Sequence, residues 1–325
     1  MKVVCAVLRR GSGLYLKLTL LPDYPVLSIV VGRLIMLSAM QTQSAAQSPP
    51  VLDIRSMIYD AAAALGSKSL LKDDILPRVT TLEDIIRFVS RYQLFNGNFA
   101  GGVSCLAGAF HIRQDLFRDC GVNVFYAADR SARIASQIYF AAVDEYADRK
   151  NQQRFTHWDL GQYLLLGVCN YFEVDLTTID HTFPLNVETQ LTIDRVSRGY
   201  CLDQQNTEDS ILRGLGFHIG SELLADQEFN LIDEHLRENF LPLVQYLEDH
   251  STEFGNTHYH WIHIHTFVEM EHLDHAFKAA ELSIEYYSGQ KSKRRVAELI
   301  LDGFLEFGDM QKFFFGNILN KPMHN

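Results

Sequence analysis

The chain has 325 residues, and 47% of them are hydrophobic, which is enough for a sizeable buried core. The formal net charge of −11 argues against nucleic acid or an anionic membrane as the main partner, because phosphate binding depends on Lys and Arg clusters. The cysteines are odd in number, widely spaced and without a CxxC pair, which argues against disulfides or a structural zinc site and favours a reducing cytoplasm.

The first 50 residues differ in composition from the rest of the chain. Charged residues interrupt every apolar stretch, so the sequence offers neither an 18-residue membrane span nor the pattern of a signal peptide. We expect residues 1–50 to be a poorly structured extension, or codons read from an early start with Met36 or Met40 as the true first residue. Residues 51–325 are expected to form a single domain.

From residue 53 onward, apolar residues recur with the helical period of 3.6, which predicts an all-α fold. The predicted helices cover residues 53–65, 81–95, 100–118, 128–149, 157–172, 208–248, 258–287 and 292–318. Thr156, with Asp159 three residues later, predicts a capped helix start that places His157 in the first turn. Residues 173–205 contain β-branched residues and a proline without a helical stripe, and they are predicted to be a connection or lid.

Six of the 13 histidines lie close together, among acidic residues, in the predicted helix 258–287. At 100° per residue, His265, Glu269 and His272 project within about 60° of one another around the helix axis. The same face continues through the alanines at positions 276, 279 and 280, so we expect it to pack against neighbours. Charged groups on a packed face need a charged partner or a metal ion.

Two further carboxylates fall on apolar faces of predicted helices. Glu145 ends the apolar stripe of the helix 128–149, whereas its neighbour Asp144 falls about 100° away. Glu222 lies on the apolar stripe of the helix 208–248. Glu228 lies on the same helix beside Asp226 and Gln227, and it is predicted to face solvent. A buried, unpaired carboxylate costs several kcal/mol or takes up a proton. A bound cation is therefore the simpler explanation for the positions of Glu145 and Glu222 on apolar faces.

The predicted inner set contains three carboxylates and three imidazoles from different helices. They are Glu145, His157, Glu222, His265, Glu269 and His272. Such a set suits two first-row metal ions, Fe(II) or Mn(II), with positions left open for O₂ or substrate. One zinc ion would need fewer ligands, and calcium does not use imidazole.

The motifs resemble those of a known family. The spacing His-x3-Asp/Glu-x2-His, here His265-TFV-Glu269-ME-His272 with an Ala-rich turn after it, resembles the last helix of the heme-oxygenase-like diiron oxidases. That group includes the chlamydial protein associating with death domains and several oxidases of natural-product pathways. GLGFHIGSELLADQEF resembles the family helix with the metal-bridging glutamate, at Glu222. AAVDEYADRKNQQRFTH resembles the family's Glu, variable loop, His element, at Glu145 and His157. The resemblance covers residues 80–318.

The resemblance implies a heme-oxygenase-like bundle of about seven to eight helices that binds two Fe(II) ions, with Mn as the alternative metal. It implies O₂ as cosubstrate, an electron donor and a small-molecule substrate in natural-product biosynthesis. We favour an amino-acid-like substrate that undergoes desaturation, C–N cyclisation, C–C cleavage or N-oxygenation. A fatty-acid oxidative decarboxylase is the alternative, and it should show a longer apolar tunnel lining.

The sequence departs from the family pattern in two places. The family's first core helix usually provides another glutamate, but GGVSCLAGAFHIRQDLFRD contains none, which leaves His111 or Asp115 as uncertain additional ligands. The family's last-helix carboxylate is more often Asp than Glu. A second register, with Glu271 and His275 as ligands, is therefore an alternative, although the continuous face favours the first.

Other classes of protein remain as alternatives. A metal-free helical interaction protein would use these histidines as core or surface residues, and a heme oxygenase would use one proximal histidine. A thiaminase-like hydrolase would need a cysteine in the cavity, whereas Cys105, Cys120 and Cys169 have the pattern of core residues.

Two features bear on binding partners. Arg130 and Arg213 are candidates for binding a substrate carboxylate, but each is better explained as a structural ion pair. The Phe-rich segment FLEFGDMQKFFFGNIL is a candidate homodimer surface, with core packing as the preferred interpretation.

Overall fold

The computed structural model describes residues 5–10, 13–18, 52–118, 129–146, 155–200 and 206–321. The chain divides into two units, Met1–Val51 and Leu52–Asn325. In the first unit, strand β1 (Cys5–Arg10) pairs antiparallel with strand β2 (Gly13–Leu18). Met36 and Met40 lie outside the described residues, and the expectations for residues 1–50 and for a single domain beyond them stay predictions.

The second unit is all-α, which confirms the predicted fold class. Its described part contains ten helices of nine or more residues, more than the seven to eight expected. In chain order they are α1 (Ile54–Leu65), α2 (Leu82–Asn96), α3 (Phe99–Ile112), α4 (Arg130–Tyr146), α5 (His157–Tyr171), α6 (Val187–Gly199), α7 (Glu208–Asn239), α8 (Leu241–Asp249), α9 (His260–Tyr286) and α10 (Lys293–Asn317). Short helical turns follow α1 and precede α6.

Two corrections account for the extra helices. The predicted connection 173–205 contains α6, whose buried side is made by Thr189, Thr192, Ile193 and Val196. The predicted helix 208–248 is two helices, α7 and α8, which are separated at Phe240. Pro242 lies in the first turn of α8, where its missing N–H does not break the hydrogen-bond ladder.

Helices α7 and α10 approach each other closely through two glycines. A Cβ atom at Gly216 on α7 would overlap the carbonyl oxygen of Ile300 on α10. A Cβ atom at Gly303 on α10 would likewise overlap the carbonyl oxygen of Arg213 on α7. This contact of backbone against backbone fixes the position of α7, which carries Glu222.

The Phe-rich C-terminal segment is core packing, as preferred from the sequence. Phe304, Phe307, Phe314 and Phe315 are buried, and Phe313 is exposed. No helix in the described part of the chain has an apolar stretch long enough to cross a bilayer.

Candidate metal centre

The face of α9 predicted to carry ligands is buried. His265, Glu269 and His272 are 4%, 4% and 2% exposed, whereas Phe267 and Met270 on the outer face are 46% and 52% exposed. Burial of charged residues with exposure of apolar ones is the reverse of the usual arrangement of an amphipathic helix. The rotation of α9 is therefore set by what its inner face contacts, and not by hydrophobicity alone.

The alternative register points away from that face. Glu271 is exposed. Nδ1 of His275 lies 2.8 Å from Oε1 of Gln137, and its ring stacks on Phe140 with 3.6 Å between centroids. The structure thus places the first register inside the bundle.

Glu222 of α7 meets the inner face of α9. Its side chain is buried, and ligand atoms of Glu222, Glu269 and His272 all lie within 4.8 Å of one another. Nδ1 of His272 lies 3.4 Å from Oε2 of Glu222 and 3.7 Å from Oε2 of Glu269. These three side chains form one potential ion site.

Glu145 and His157 extend the cluster from the other side. A capping box of Thr156 and Asp159 begins α5, as predicted, and fixes His157 as its first residue. Nδ1 of His157 lies 3.3 Å from Oε2 of Glu145, and neither ring nitrogen has a hydrogen-bond partner within the described ranges. The His157 ring lies 4.5 Å from the ring of His265, whose Nε2 is 3.6 Å from Oε1 of Glu269. All six predicted ligands are thus brought into one connected cluster.

Hydrogen bonds orient two of the imidazoles. Nδ1 of His265 donates to the carbonyl oxygen of Trp261 at 2.7 Å, which leaves Nε2 with a lone pair toward Glu269. Nε2 of His272 donates to Oδ2 of Asp144 at 2.9 Å, which leaves Nδ1 toward Glu222 and Glu269. A ligand histidine held by a carboxylate or carbonyl through its second nitrogen is the usual arrangement in metal sites.

Asp144 is a residue that the sequence prediction missed. It is buried, although it was placed off the apolar stripe. The pattern of one helix carries no signal for it, because its role depends on how α4 packs against α9.

The electrostatics of the metal-free cluster favour bound protons. Burial, reinforced by the nearby Glu222 carboxylate, raises the pKa of Glu269 to about 8. Burial alone would lower the pKa of His272, but Asp144, Glu222 and Glu269 raise it well above its ordinary value. Burial and the neighbouring His157 lower the pKa of His265, so that imidazole is neutral. Protons on Glu269 and His272 compensate the buried carboxylates, and a cation would replace them.

The proposed additional ligands are not part of the cluster. His111 and Asp115 are exposed, and Asp115 pairs with Arg113 at 2.8 Å. Asp115 follows the end of α3 at Ile112, so His111 and Asp115 do not lie on one helical face.

The other predicted residues also have defined positions. Arg213 forms an ion pair with Asp302 at 3.0 Å, and Arg130 packs over the ring of Tyr286. Cys169 is buried as predicted, but Cys105 is exposed, because it points outward from α3. Cys120 lies outside the described residues.

Two further buried residues near the cluster were not predicted. His218 is 0% exposed, with its Nδ1 3.2 Å from Oε1 of Glu222, and its spacing of four residues from Glu222 was the available signal.

The solvent-facing prediction for Glu228 was wrong. Its carboxylate is buried and accepts hydrogen bonds from the Tyr92 hydroxyl at 2.7 Å and from the Gln311 amide. The polar neighbours Asp226 and Gln227 were misleading, because adjacent residues point in different directions on a helix.

The donor set fits a pair of first-row metal ions. Two ligand atoms that each lie about 2.1 Å from one ion, at right angles, are about 3 Å apart. The nitrogen–oxygen distances of 3.3–3.7 Å in the cluster are close to that value. A cavity of about 30 Å³ lies among Glu145, Glu222, His265 and Glu269, with room for one or two water molecules.

A comparison with solved structures finds a neighbour of this chain, whereas the comparisons with family models and curated proteins do not. No protein-family model matches the chain, and no curated protein matches it. A solved structure of a CADD-like protein of unknown function from Nostoc punctiforme is similar, with 14% sequence identity and a TM-score of 0.46. The alignment covers 81% of this chain and 96% of that one.

Proposed function

We propose that this protein is a non-heme diiron enzyme that uses O₂ to oxidise a small, amino-acid-like substrate. The observation that carries the proposal is one connected cluster of three buried imidazoles and three carboxylates, of which Glu222 and Glu269 are buried and Glu145 is partly buried. The resemblance of the three ligand motifs supports the same assignment.

On this proposal the ligands divide between two ions. Glu145, His157 and His265 would hold the first ion, and Glu222 and His272 the second, so the bridging position that the resemblance implies for Glu222 would fall to Glu269. Glu269 would lie between them, because its Oε1 faces His265 and its Oε2 faces His272. Three carboxylates balance most of the charge of two divalent ions.

Aromatic side chains of the chain pack against one imidazole of the cluster. Phe229 stacks on the ring of His265 with 4.1 Å between centroids, and Trp261 packs against the same ring. When bound, the two Fe(II) ions would supply the electrons that activate O₂. The side chains around them fix the ligand tautomers and exclude bulk water.

The substrate class is proposed from the motif resemblance. The cavity beside the ligands measures about 30 Å³, which is room for water and not for a substrate, so its size does not separate an amino acid from a fatty acid. We propose desaturation, C–N cyclisation, C–C cleavage or N-oxygenation as the reaction, with an external electron donor.

Anaerobic Fe(II) titration with metal analysis tests the proposal. The purified protein should bind close to two irons per chain, and exposure to O₂ should produce a transient visible absorption band. Glu222→Ala should lose most of the iron and the band, because this carboxylate contacts both His218 and His272.

Glu271→Ala is the matched control, since Glu271 is an exposed glutamate on the ligand-bearing helix. It should bind iron like the wild type. Loss of iron in Glu271→Ala with retention in Glu222→Ala would support the alternative register. If the protein binds neither iron nor manganese under these conditions, the result would favour the metal-free interaction protein.

A further inference from the structure

His218 lies on α7, one turn before Glu222, in the wall of the candidate metal centre. Its side chain is 0% exposed, and its Nδ1 lies 3.2 Å from Oε1 of Glu222. The other oxygen of the same carboxylate faces Nδ1 of His272 at 3.4 Å. Glu222 therefore has an imidazole nitrogen close to each of its two oxygens.

The imidazole of His218 makes no hydrogen bond within the described part of the chain. Its contact with Glu222 lacks hydrogen-bond geometry, and neither ring nitrogen has another partner there. The hydroxyls of Tyr200, whose ring lies 6.1 Å from that of His218, and of Ser221 are engaged with each other, with 2.7 Å between Oη and Oγ. Ser221 also donates to the backbone carbonyl of His218, not to its ring. A buried polar group without a partner costs about 1–3 kcal/mol, so an ordinary core histidine would be expected to have one.

The spacing of His218 and Glu222 suits two ligands of one ion. Residues four apart on a helix share a face, and histidines with this spacing hold a single metal ion in known helical zinc motifs. On α9, His265 and Glu269 have the same spacing and lie 3.6 Å apart at their nearest ligand atoms. Helix α7 thus presents the same kind of pair, an imidazole and a carboxylate one turn apart.

The geometry points to His218 as a further metal ligand, which binds an ion together with Glu222. The centre then contains four imidazoles, from His157, His218, His265 and His272. This inference rests on the proposed function, because it requires metal in the centre.

Titration with Co(II) alone tests the assignment, because the visible bands of Co(II) report the number and type of its ligands. The wild type should bind close to two Co(II) ions per chain, measured by equilibrium dialysis and absorbance. His218→Ala should weaken one of the two sites by more than about 100-fold and change its band. Millimolar imidazole should restore that site, since it replaces the missing ring.

A second variant separates a ligand from a positioning residue. In His218→Gln the side-chain amide still reaches Glu222 but lacks an imidazole lone pair, so a ligand role predicts loss of the site. Wild-type affinity and bands in His218→Gln would overturn the inference. His263→Ala, at an exposed histidine of α9, is the control and should bind like the wild type.

The outcomes distinguish the inference from the proposed function. A wild type that binds two Co(II) ions, with His218→Ala unchanged, would overturn the role of His218 alone. A wild type that binds no Co(II) would overturn the proposed function as well. Far-UV circular dichroism of each variant shows whether the helical fold is kept.

Discussion

His272 is held through both of its ring nitrogens. Nε2 donates to Asp144, and Nδ1 faces Glu222 and Glu269. The three carboxyl groups raise the pKa of this imidazole against the effect of burial, so the metal-free protein carries a proton there. Metal binding at Nδ1 would therefore be coupled to proton release. Asp144 fixes which nitrogen would face an ion.

Glu228 is a buried carboxylate outside the proposed ligand set, and it makes folding depend on pH. Burial raises its pKa from 4.5 to about 7, although Tyr92 and Gln311 donate hydrogen bonds to it. Between these two values the folded state binds a proton that the unfolded state has released. The free energy of unfolding therefore falls as pH rises from 4.5 through 7, by about 3 kcal/mol from this residue.

Glu228→Gln should remove this contribution, because the amide does not ionise. Its oxygen keeps one of the two hydrogen bonds, and its NH2 donates to the Tyr92 hydroxyl or to a flipped Gln311 amide. We expect the decrease in unfolding free energy between pH 4.5 and 8 to be smaller than in the wild type by about 2–4 kcal/mol, measured by urea denaturation with a chelator present. Glu238→Gln, at an exposed glutamate of the same helix, should leave the pH dependence unchanged. An unchanged decrease in Glu228→Gln would show that Glu228 is ionised in the folded protein.

At the scale of secondary structure, the contact between α7 and α10 depends on Gly216 and Gly303. Gly216→Ala should destabilise the domain by at least about 2 kcal/mol, because the new methyl group overlaps the backbone of Ile300 and a helix cannot shift cheaply. This effect outweighs the gain of about 1 kcal/mol in helix propensity. Urea denaturation at fixed pH measures the difference.

Gly108 provides the matched control on α3. It is exposed, and a Cβ atom there would meet nothing within 4 Å. Gly108→Ala should therefore stabilise the domain, by up to about 1 kcal/mol. Equal effects of the two substitutions would show that the approach of α7 to α10 is looser than the structure indicates.

Much of the element structure can be predicted from periodicity, and the exceptions have physical causes. The inner face of α9 follows from the spacing of His265, Glu269 and His272 alone. Helix α6 was missed because Thr189, Thr192, Ile193 and Val196 are β-branched, although their spacing of i, i+3, i+4, i+7 is helical. In that segment the helical spacing of the buried residues decides the structure, in spite of the low helix propensity of β-branched residues.

The candidate site was predictable to the extent that each ligand lies on a helical stripe. Asp144 and Glu228 were not found, because their partners, His272 and Tyr92, come from other helices. His218 has the i, i+4 spacing from Glu222, but a single histidine on an apolar face is more often a core residue. Only the missing hydrogen bonds of its ring and the 3.2 Å contact of its Nδ1 with Glu222 distinguish His218 from such a core residue.

For the whole domain, the metal-free centre is a local source of instability. Glu222 and Glu269 are buried close together, and in the absence of a cation Glu269 must take up a proton at a pKa of about 8. At pH 7 this protonation costs about 3 kcal/mol relative to the unfolded chain. A bound cation removes the cost and adds its own binding energy, so we expect metal content and stability to be linked.

Glu269→Gln should separate these two effects. In the presence of a chelator, the variant should unfold at a higher temperature than the wild type, because the amide is neutral without taking up a proton. The free energy of unfolding should rise by about 2–4 kcal/mol, which corresponds to an increase of several °C in the unfolding temperature for a domain of this size. Metal should then stabilise the wild type, by about 2.7 kcal/mol per site at a concentration 100-fold above its Kd, but should stabilise the variant much less. Thermal unfolding with chelator and with Co(II), for the wild type, Glu269→Gln and the exposed control Glu271→Gln, measures both effects. Equal stabilisation of all three proteins by Co(II) would place the metal away from Glu269, whereas a lower unfolding temperature of chelated Glu269→Gln would show that this carboxylate stabilises the metal-free fold.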